Sequence, residues 1–199
     1  MKLSKLLHNV ELCSSFNEAE IEHISCDSRS CTKGSLFMAV RGADTDGHTY
    51  INKAIENGAT HIVCEEIPAD MENNAEFILI KESRKACAHI AANFYGNPSE
   101  KLRVVAVTGT NGKTSIATLL YQLFTMLGYS CGLLSTIANY VGEKRYETLN
   151  TTPGPVELNR LLAQMADEGC EFCFMEASSH AIDQQRIEGI HFTGAVFTN

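Results

Sequence analysis

The sequence predicts an α/β protein in two parts, a small N-terminal α/β domain over residues 1–98 followed by a parallel sheet that opens on a phosphate-binding loop over residues 99–199. Three observations predict it. Apolar strand-like runs alternate with helix-spaced segments along the chain, a strand–glycine loop–helix unit stands at 104–120, and Gly96-Asn97-Pro98 separates two unlike halves. At 199 residues and 44% hydrophobic composition the chain has the material for one or two real cores.

In the first part, the short apolar runs Ile21 to Cys26, Leu36 to Val40, His61 to Cys64 and Phe77 to Ile80 predict strands. Helix-like segments lie between and after them, at Tyr50 to Asn57 and Arg84 to Phe94. In the second part the order is strand 103–108, helix 113–127, strand 130–137, helix 155–168, strand 171–177, a short helical stretch and strand 192–197. Repeated strand–helix–strand units predict a parallel sheet wrapped by helices, with ligands at the carboxyl ends of the strands. The chain stops at the carboxyl end of its last strand, where a loop and another helix are expected, so this second sheet reads as truncated.

The loop is Thr108-Gly109-Thr110-Asn111-Gly112-Lys113-Thr114. It lies between the apolar run Val104 to Val107 and a segment with Ile116, Leu119, Leu120, Leu123 and Leu127 at helix spacing. Glycines let backbone N–H groups approach phosphates, the helix N-terminus adds partial positive charge, Lys113 can reach terminal phosphates, and the Thr114 hydroxyl suits Mg²⁺. The spacing is the short G-x-x-G-K-T form, because Val107 stands where the longer pattern has a glycine. The loop by itself leaves kinase, GTPase and ligase open.

Composition narrows the partners. The net charge of −8 comes without a basic run, which argues against nucleic acid and leaves a metal-neutralised nucleotide as the natural anion. His8, Asn9 and Glu11 interrupt the N-terminal apolar stretch, and no run approaches the ~20 apolar residues of a membrane span, so a cytoplasmic protein is expected. The eight cysteines sit mostly in apolar segments and read as free thiols. Cys170-Glu171-Phe172-Cys173 falls in an expected strand and reads as packing, not zinc or redox chemistry.

Three further stretches carry polar residues to strand or helix ends. Asp27-Ser28-Arg29 and the glycine turn before His48 read by themselves as turn and cap chemistry, with Asp44 or Asp46 capping the helix near His48. Asn150-Thr151-Thr152-Pro153-Gly154-Pro155 reads as a helix start. Met175-Glu176 ends a strand and passes into Ser178-Ser179-His180. A carboxylate emerging there, across the sheet from Thr114, is placed to hold a cation directly or through water. His180 by itself reads as a packed or solvated histidine.

Taken together and in this order, the stretches resemble the Mur ligases, and among them the MurE type. Asp27-Ser28-Arg29 with Leu36-Phe37 and Asp46-Gly47-His48 resembles the uridine-nucleotide domain, Gly109 to Thr114 the ATP loop, Asn150 to Pro153 the muropeptide site, and Met175 to His180 with Gln184 and Arg186 the central sheet. The resemblance covers the whole chain. It implies ATP bound through Gly109, Thr110, Asn111, Gly112, Lys113, Thr114 and Ser115, with Mg²⁺ at Thr114 and Glu176 and with Lys113 and Glu176 as catalytic residues. It further implies that Ser28 contacts the uridine nucleotide, and that Asn150, Thr151, Thr152, Ser178, Gln184 and Arg186 hold the muramoyl-dipeptide.

The activity implied is addition of a third amino acid to UDP-N-acetylmuramoyl-L-alanyl-D-glutamate. ATP phosphorylates the free glutamyl carboxylate and the incoming amine displaces phosphate. The expected partners are these small molecules (UDP-muramoyl-dipeptide, ATP and a diamino acid), with no nucleic acid and no membrane. The resemblance also implies a later histidine, a carbamylated lysine and an amine-binding domain outside these residues, so these 199 residues are expected to lack ligase activity. Whether diaminopimelate, lysine or another amine is added stays open. A small-metabolite kinase or a non-catalytic nucleotide-binding module is the alternative; a GTPase lacks its N-K-x-D motif here.

Overall fold

The computed structural model describes residues 1–43, 45–69, 75–148 and 150–199. The chain folds as two compact units, Met1–Phe94 and Tyr95–Asn199. The division falls ahead of Gly96-Asn97-Pro98 because the 3₁₀ turn Pro98–Glu100 packs on a helix and a strand of the second unit.

The first unit runs through helix α1 (Leu3–Leu6), strands β1 (His23–Ser25) and β2 (Ser35–Met38), helix α2 (Ile51–Glu56), strands β3 (Ala59–Cys64) and β4 (Glu76–Leu79), and helix α3 (Ser83–Phe94). The four strands pair in sequence order, all parallel. Every residue of β2 is buried, as a central parallel strand covered on both faces requires. Phe37, Ala39, Ile62 and Cys64 pack with Ile51 and Ala54 of α2 to form its core. The expected strand Ile21 to Cys26 shortens to three residues.

The second unit runs through β5 (Arg103–Gly109), α4 (Lys113–Met126), β6 (Cys131–Leu134), β7 (Asn139–Val141), β8 (Lys144–Tyr146), α5 (Pro155–Asp167), β9 (Phe172–Glu176), α6 (Ser179–Asp183) and β10 (Phe192–Thr198). Its sheet has the order β10-β5-β9-β6-β7-β8. The first four strands are parallel, but β7 and β8 pair antiparallel at one edge. This corrects the expected strand 130–137. The strand ends at Leu134, where the Ser135 hydroxyl donates to Ala138 O (2.8 Å) and the Ser135 N–H donates to Asn139 Oδ1 (3.2 Å), closing a turn that sends the chain back.

Alternation along β5 and β9 builds two cores. Val104, Ala106, Cys173 and Met175 face Leu158, Leu161, Leu162 and Met165 of α5. Val105, Val107, Phe172 and Phe174 face Ile116, Ala117, Leu120 and Phe124 of α4. Phe124 anchors that side, with its ring centroid 4.7 Å from Phe172 and 5.1 Å from Phe174. With side chains repeating every two residues, Glu176 follows Phe172 and Phe174 onto the α4 side. That period carries the carboxylate to the loop.

Candidate functional site

The loop joins β5 to α4 through two glycines with different duties. Gly109 has φ +129°, and a Cβ there would overlap the backbone oxygen of Thr198, so its first duty is the close approach of β10. Gly112, φ +83°, is the N-cap residue of α4, with no side chain capping the helix start. The first-turn amides of α4, at Lys113, Thr114 and Ser115, therefore have no side-chain cap, an arrangement whose partial positive charge suits an anion. Higher in the loop, the Thr110 and Asn111 amides donate to the Asn199 oxygen (3.1 and 2.7 Å). The Thr198 hydroxyl is shared between Thr108 O (3.0 Å) and Asn111 O (2.6 Å). Glycine spacing marked the loop, but only the tertiary pairing shows that β10 fixes half of it.

Lys113 turns back over the loop and donates to Gly109 O (2.8 Å) and Thr110 O (3.2 Å). A phosphate oxygen is the stronger partner for an ammonium. These two carbonyls hold the side chain back over its own loop.

Glu176 is 1% exposed and its carboxylate collects three hydrogen bonds. The Thr114 hydroxyl donates to Oε2 (2.9 Å), the Thr136 N–H to Oε1 (2.8 Å) and the Thr136 hydroxyl to Oε2 (3.2 Å). A buried carboxylate needs such partners. Thr136 is the site residue that sequence reasoning missed. Its signal was position, two residues past the carboxyl end of a parallel strand, and the over-long strand expected there hid it. The same hydroxyl lies 3.2 Å from Thr151 Oγ1.

The next layer is built on Thr152, also 1% exposed. Its hydroxyl donates to the backbone oxygen of Glu176 (2.9 Å) and accepts from the Ser178 N–H (3.1 Å), which clamps the Thr152-Pro153 turn to the end of β9. Ser178 Oγ accepts from the Ala181 N–H (3.2 Å) and caps α6. Arg186 donates through Nη1 to Thr152 O (3.2 Å) and through Nε and Nη2 to Gln184 Oε1 (2.9 and 2.6 Å). So Thr114, Thr136, Glu176, Thr151, Thr152, Ser178, Gln184 and Arg186 form one connected polar set. Asn150 is exposed beside it and lines a cavity of about 230 Å³ with Asn139, Glu147, Thr148, Pro153, Gly154 and Glu157. His180 is exposed on α6.

Thr114 and Glu176 offer one hydroxyl and one carboxylate on adjoining element ends. That donor set fits Mg²⁺, which keeps waters and takes substrate phosphate oxygens to complete its octahedron. Among the described residues no cluster of three or more His, Cys, Asp or Glu could cage a metal by itself.

In the first unit Ser28 is buried within the 3₁₀ turn Ser28–Ser30, and its carbonyl accepts from Asn57 Nδ2 (2.8 Å). Asp27 caps that turn and grips the Arg29 side chain at 2.7–3.1 Å, and those hydrogen bonds hold its carboxyl below the usual value. Cys26, Asp27, Ser28, Arg29, Tyr50 and Lys53 line a cavity of about 590 Å³. Asp46 caps the turn Gly47–Tyr50, while Asp44 lies outside the described residues. His48 is buried, its Nδ1 2.6 Å from Asp46 Oδ1 and its Nε2 accepting from the Glu65 N–H (2.9 Å), so the ring is the neutral Nδ1–H tautomer.

Residues 107–199 match the model of the Mur ligase middle domain, and residues 20–95 match that of the Mur ligase family catalytic domain. The chain is 50% identical over 201 aligned residues to a UDP-N-acetylmuramoyl-L-alanyl-D-glutamate–2,6-diaminopimelate ligase of Bacteroides fragilis, covering all of this chain and 41% of that protein. A ligase of the same name from Parabacteroides distasonis is 52% identical over 183 residues, covering 92% of this chain and 38% of its own length. A solved structure of a ligase of that name superposes with a TM-score of 0.80 at 26% identity, across 100% of this chain and 40% of the other. The chain thus spans about two fifths of the relatives it matches.

Proposed function

The chain belongs to the Mur ligase family, and from that premise we propose that the protein carrying it is an ATP-dependent ligase that joins 2,6-diaminopimelate to UDP-N-acetylmuramoyl-L-alanyl-D-glutamate. The observation that carries the proposal is the contact of Thr114 with the buried Glu176 carboxylate, continuous through Thr152 with Ser178 and Arg186. It joins the start of α4 and the polar layer around Thr152 at one sheet end, which supports reading the first as a phosphate site and the second as a peptide site. The names of the relatives supply the amine.

In this reading the α4 N-terminal amides and Lys113 bind the β- and γ-phosphates of ATP. The substrate carboxylate oxygen bonds to the γ-phosphorus as the bond to ADP breaks, giving an acyl phosphate. The incoming amine then attacks the acyl carbon, and phosphate leaves as the amide forms. Thr114 and Glu176 would hold Mg²⁺, which when bound would neutralise charge where anion meets anion. No side chain is acylated or phosphorylated, so these residues act by orientation and electrostatics. Arg186, already fixed on Gln184 and the Thr152 carbonyl, presents its remaining donor edge to a carboxylate or phosphate of the muramoyl-dipeptide. The cavity beside Ser28 takes the uridine nucleotide in the first unit. Both nucleotides are cytoplasmic metabolites, and no described helix is long and apolar enough to cross a membrane. The cytoplasm is accordingly the proposed compartment.

The test uses the whole protein with ATP, Mg²⁺, UDP-muramoyl-dipeptide and 2,6-diaminopimelate. Tripeptide product and ADP should appear together, lysine should be a poor replacement, and Lys113→Ala should lose on the order of 10²–10³ in kcat while still binding UDP-muramoyl-dipeptide. ADP release without peptide product, or full turnover in Lys113→Ala, would overturn the proposal.

A further inference from the structure

The first unit holds a thiol pair that the ligase reading leaves unused. Cys26, just past β1, is exposed, whereas Cys87 in the middle of α3 is 2% exposed. They are 61 positions apart in the chain, yet their sulfurs are 3.0 Å apart. A disulfide has an S–S distance of about 2.05 Å, so roughly 1 Å of sulfur movement separates this contact from a bond. We propose that Cys26 and Cys87 form a reversible disulfide when a hydroperoxide or a low-molecular-weight disulfide reaches Cys26.

The division of labour follows from exposure. Cys26 is the open sulfur and meets the oxidant. The Cys26 contact together with burial holds the Cys87 thiol well above its usual value, which leaves the first attack on the oxidant to Cys26. With a hydroperoxide, the Cys26 thiolate attacks oxygen, the O–O bond breaks, and an alcohol (water, from hydrogen peroxide) leaves after taking up a proton. Cys26 is then a sulfenic acid. The Cys87 sulfur attacks it, the S–O bond breaks, and water leaves with the Cys87 proton. Two thiols are oxidised and one peroxide is reduced. With a small disulfide, two exchange steps release two small thiols.

Competing thiols are poorly placed. Cys31, Cys64, Cys131, Cys170 and Cys173 are buried, and burial pushes Cys31 and Cys64 up to about 11. Cys13 is exposed and serves as an internal control for simple access. Cys26 also walls the cavity shared with Asp27, Ser28, Arg29, Tyr50 and Lys53. The bond therefore ties a cavity wall to α3. Disulfides in reducing compartments are transient and sensing when they occur, which fits a pair made of one open and one buried sulfur.

The experiment takes the reduced 199-residue chain, treats it at pH 8 with stoichiometric hydrogen peroxide or, separately, glutathione disulfide, blocks remaining thiols, and maps peptides without reduction. The expected product is a Cys26–Cys87 cross-linked peptide lacking two hydrogens, removed by dithiothreitol and accompanied by a rise in Tm on the order of 5–10 °C. Cys87→Ala should instead accumulate Cys26 as a dimedone-trapped sulfenic acid or a glutathione adduct, with no rise in Tm. Cys26→Ala, at the exposed position, should leave Cys87 reduced. If Cys87→Ala fails to fold, the peptide map of the unaltered chain decides by itself. Oxidation of Cys26 with Cys87 still alkylated after unfolding would overturn the proposal, as would oxidation of Cys13 with Cys26 untouched.

Discussion

Two neighbouring residues on the loop and strand end separate chemistry from architecture. Among the described residues Lys113 bonds only to carbonyls of its own loop, so Lys113→Ala should change turnover and leave stability nearly intact. Glu176 is different, because its removal takes the buried carboxylate partner from the half-buried Thr114 hydroxyl and from both Thr136 donors. We expect Glu176→Ala to lower both kcat and Tm, and Glu176→Gln to restore much of the Tm but little of the kcat. High Mg²⁺ should recover part of the rate for the Glu176 variants and none for Lys113→Ala. Normal turnover of Glu176→Ala at low Mg²⁺ would make Glu176 a purely structural carboxylate. Gly109→Ala tests the backbone. A positive φ combined with overlap on Thr198 should cost on the order of 2–3 kcal/mol in denaturant melts, even without nucleotide.

At the scale of elements, α4 shows how a helix pattern can be right in kind and wrong in face. The expected spacing included Leu119, Leu123 and Leu127, but these are 62%, 50% and 64% exposed. The face that meets the sheet is Ile116, Ala117, Leu120, Tyr121 and Phe124. A helix this apolar on both sides offers two candidate stripes, and the phenylalanines of β9 select one. Phe124→Ala should therefore cost about 3 kcal/mol, while Leu123→Lys should stay within ~0.5 kcal/mol. Equal losses in chemical denaturation would contradict that assignment. The β7–β8 hairpin has a different history. Its strands are three residues each around Gly142-Glu143, and Asn139 does double duty as strand residue and acceptor for Ser135. No hydrophobic period survives at that length.

For the whole molecule, acid sensitivity is concentrated in the first unit, although in the second the hydrogen bond from Lys144 also holds the Glu168 carboxyl below its ordinary value. Asp27, Asp46 and Glu65 all have carboxyls held below their ordinary values, and all lie in Met1–Phe94. Hydrogen bonds from Arg29 act on Asp27, and the His48 N–H acts most strongly on Asp46. For Glu65, burial raises the value but hydrogen bonds from Ser83 and the charge of Arg41 together outweigh it. A carboxyl with a depressed folded value stabilises the fold above its unfolded pKa of about 4, and that contribution is lost as pH falls through the folded value. The first unit should thus lose Tm steeply below about pH 4, and Asp46→Asn should flatten the profile. An unchanged profile in that variant would remove Asp46 from the account. ATP with Mg²⁺ should raise the melting temperature of the second unit only, because the loop and Glu176 both belong to Tyr95–Asn199.

The sequence by itself determined the α/β class, the order of strands and helices, the phosphate loop and the family, because each is written in local periods or in short contiguous motifs. Asn150 to Pro153 and Met175 to His180 could be picked out, and Glu176 could be placed at a strand end. Only the tertiary structure decided what those residues touch. Thr136 joins Glu176 from 40 positions away, Thr198 closes against Gly109 across a parallel pair, and Cys87 meets Cys26 over 61 positions. Such contacts are set by which strand lies beside which and in what register. A one-residue slip turns every side chain to the other face, so a site assembled across strand ends is legible only once the sheet is closed.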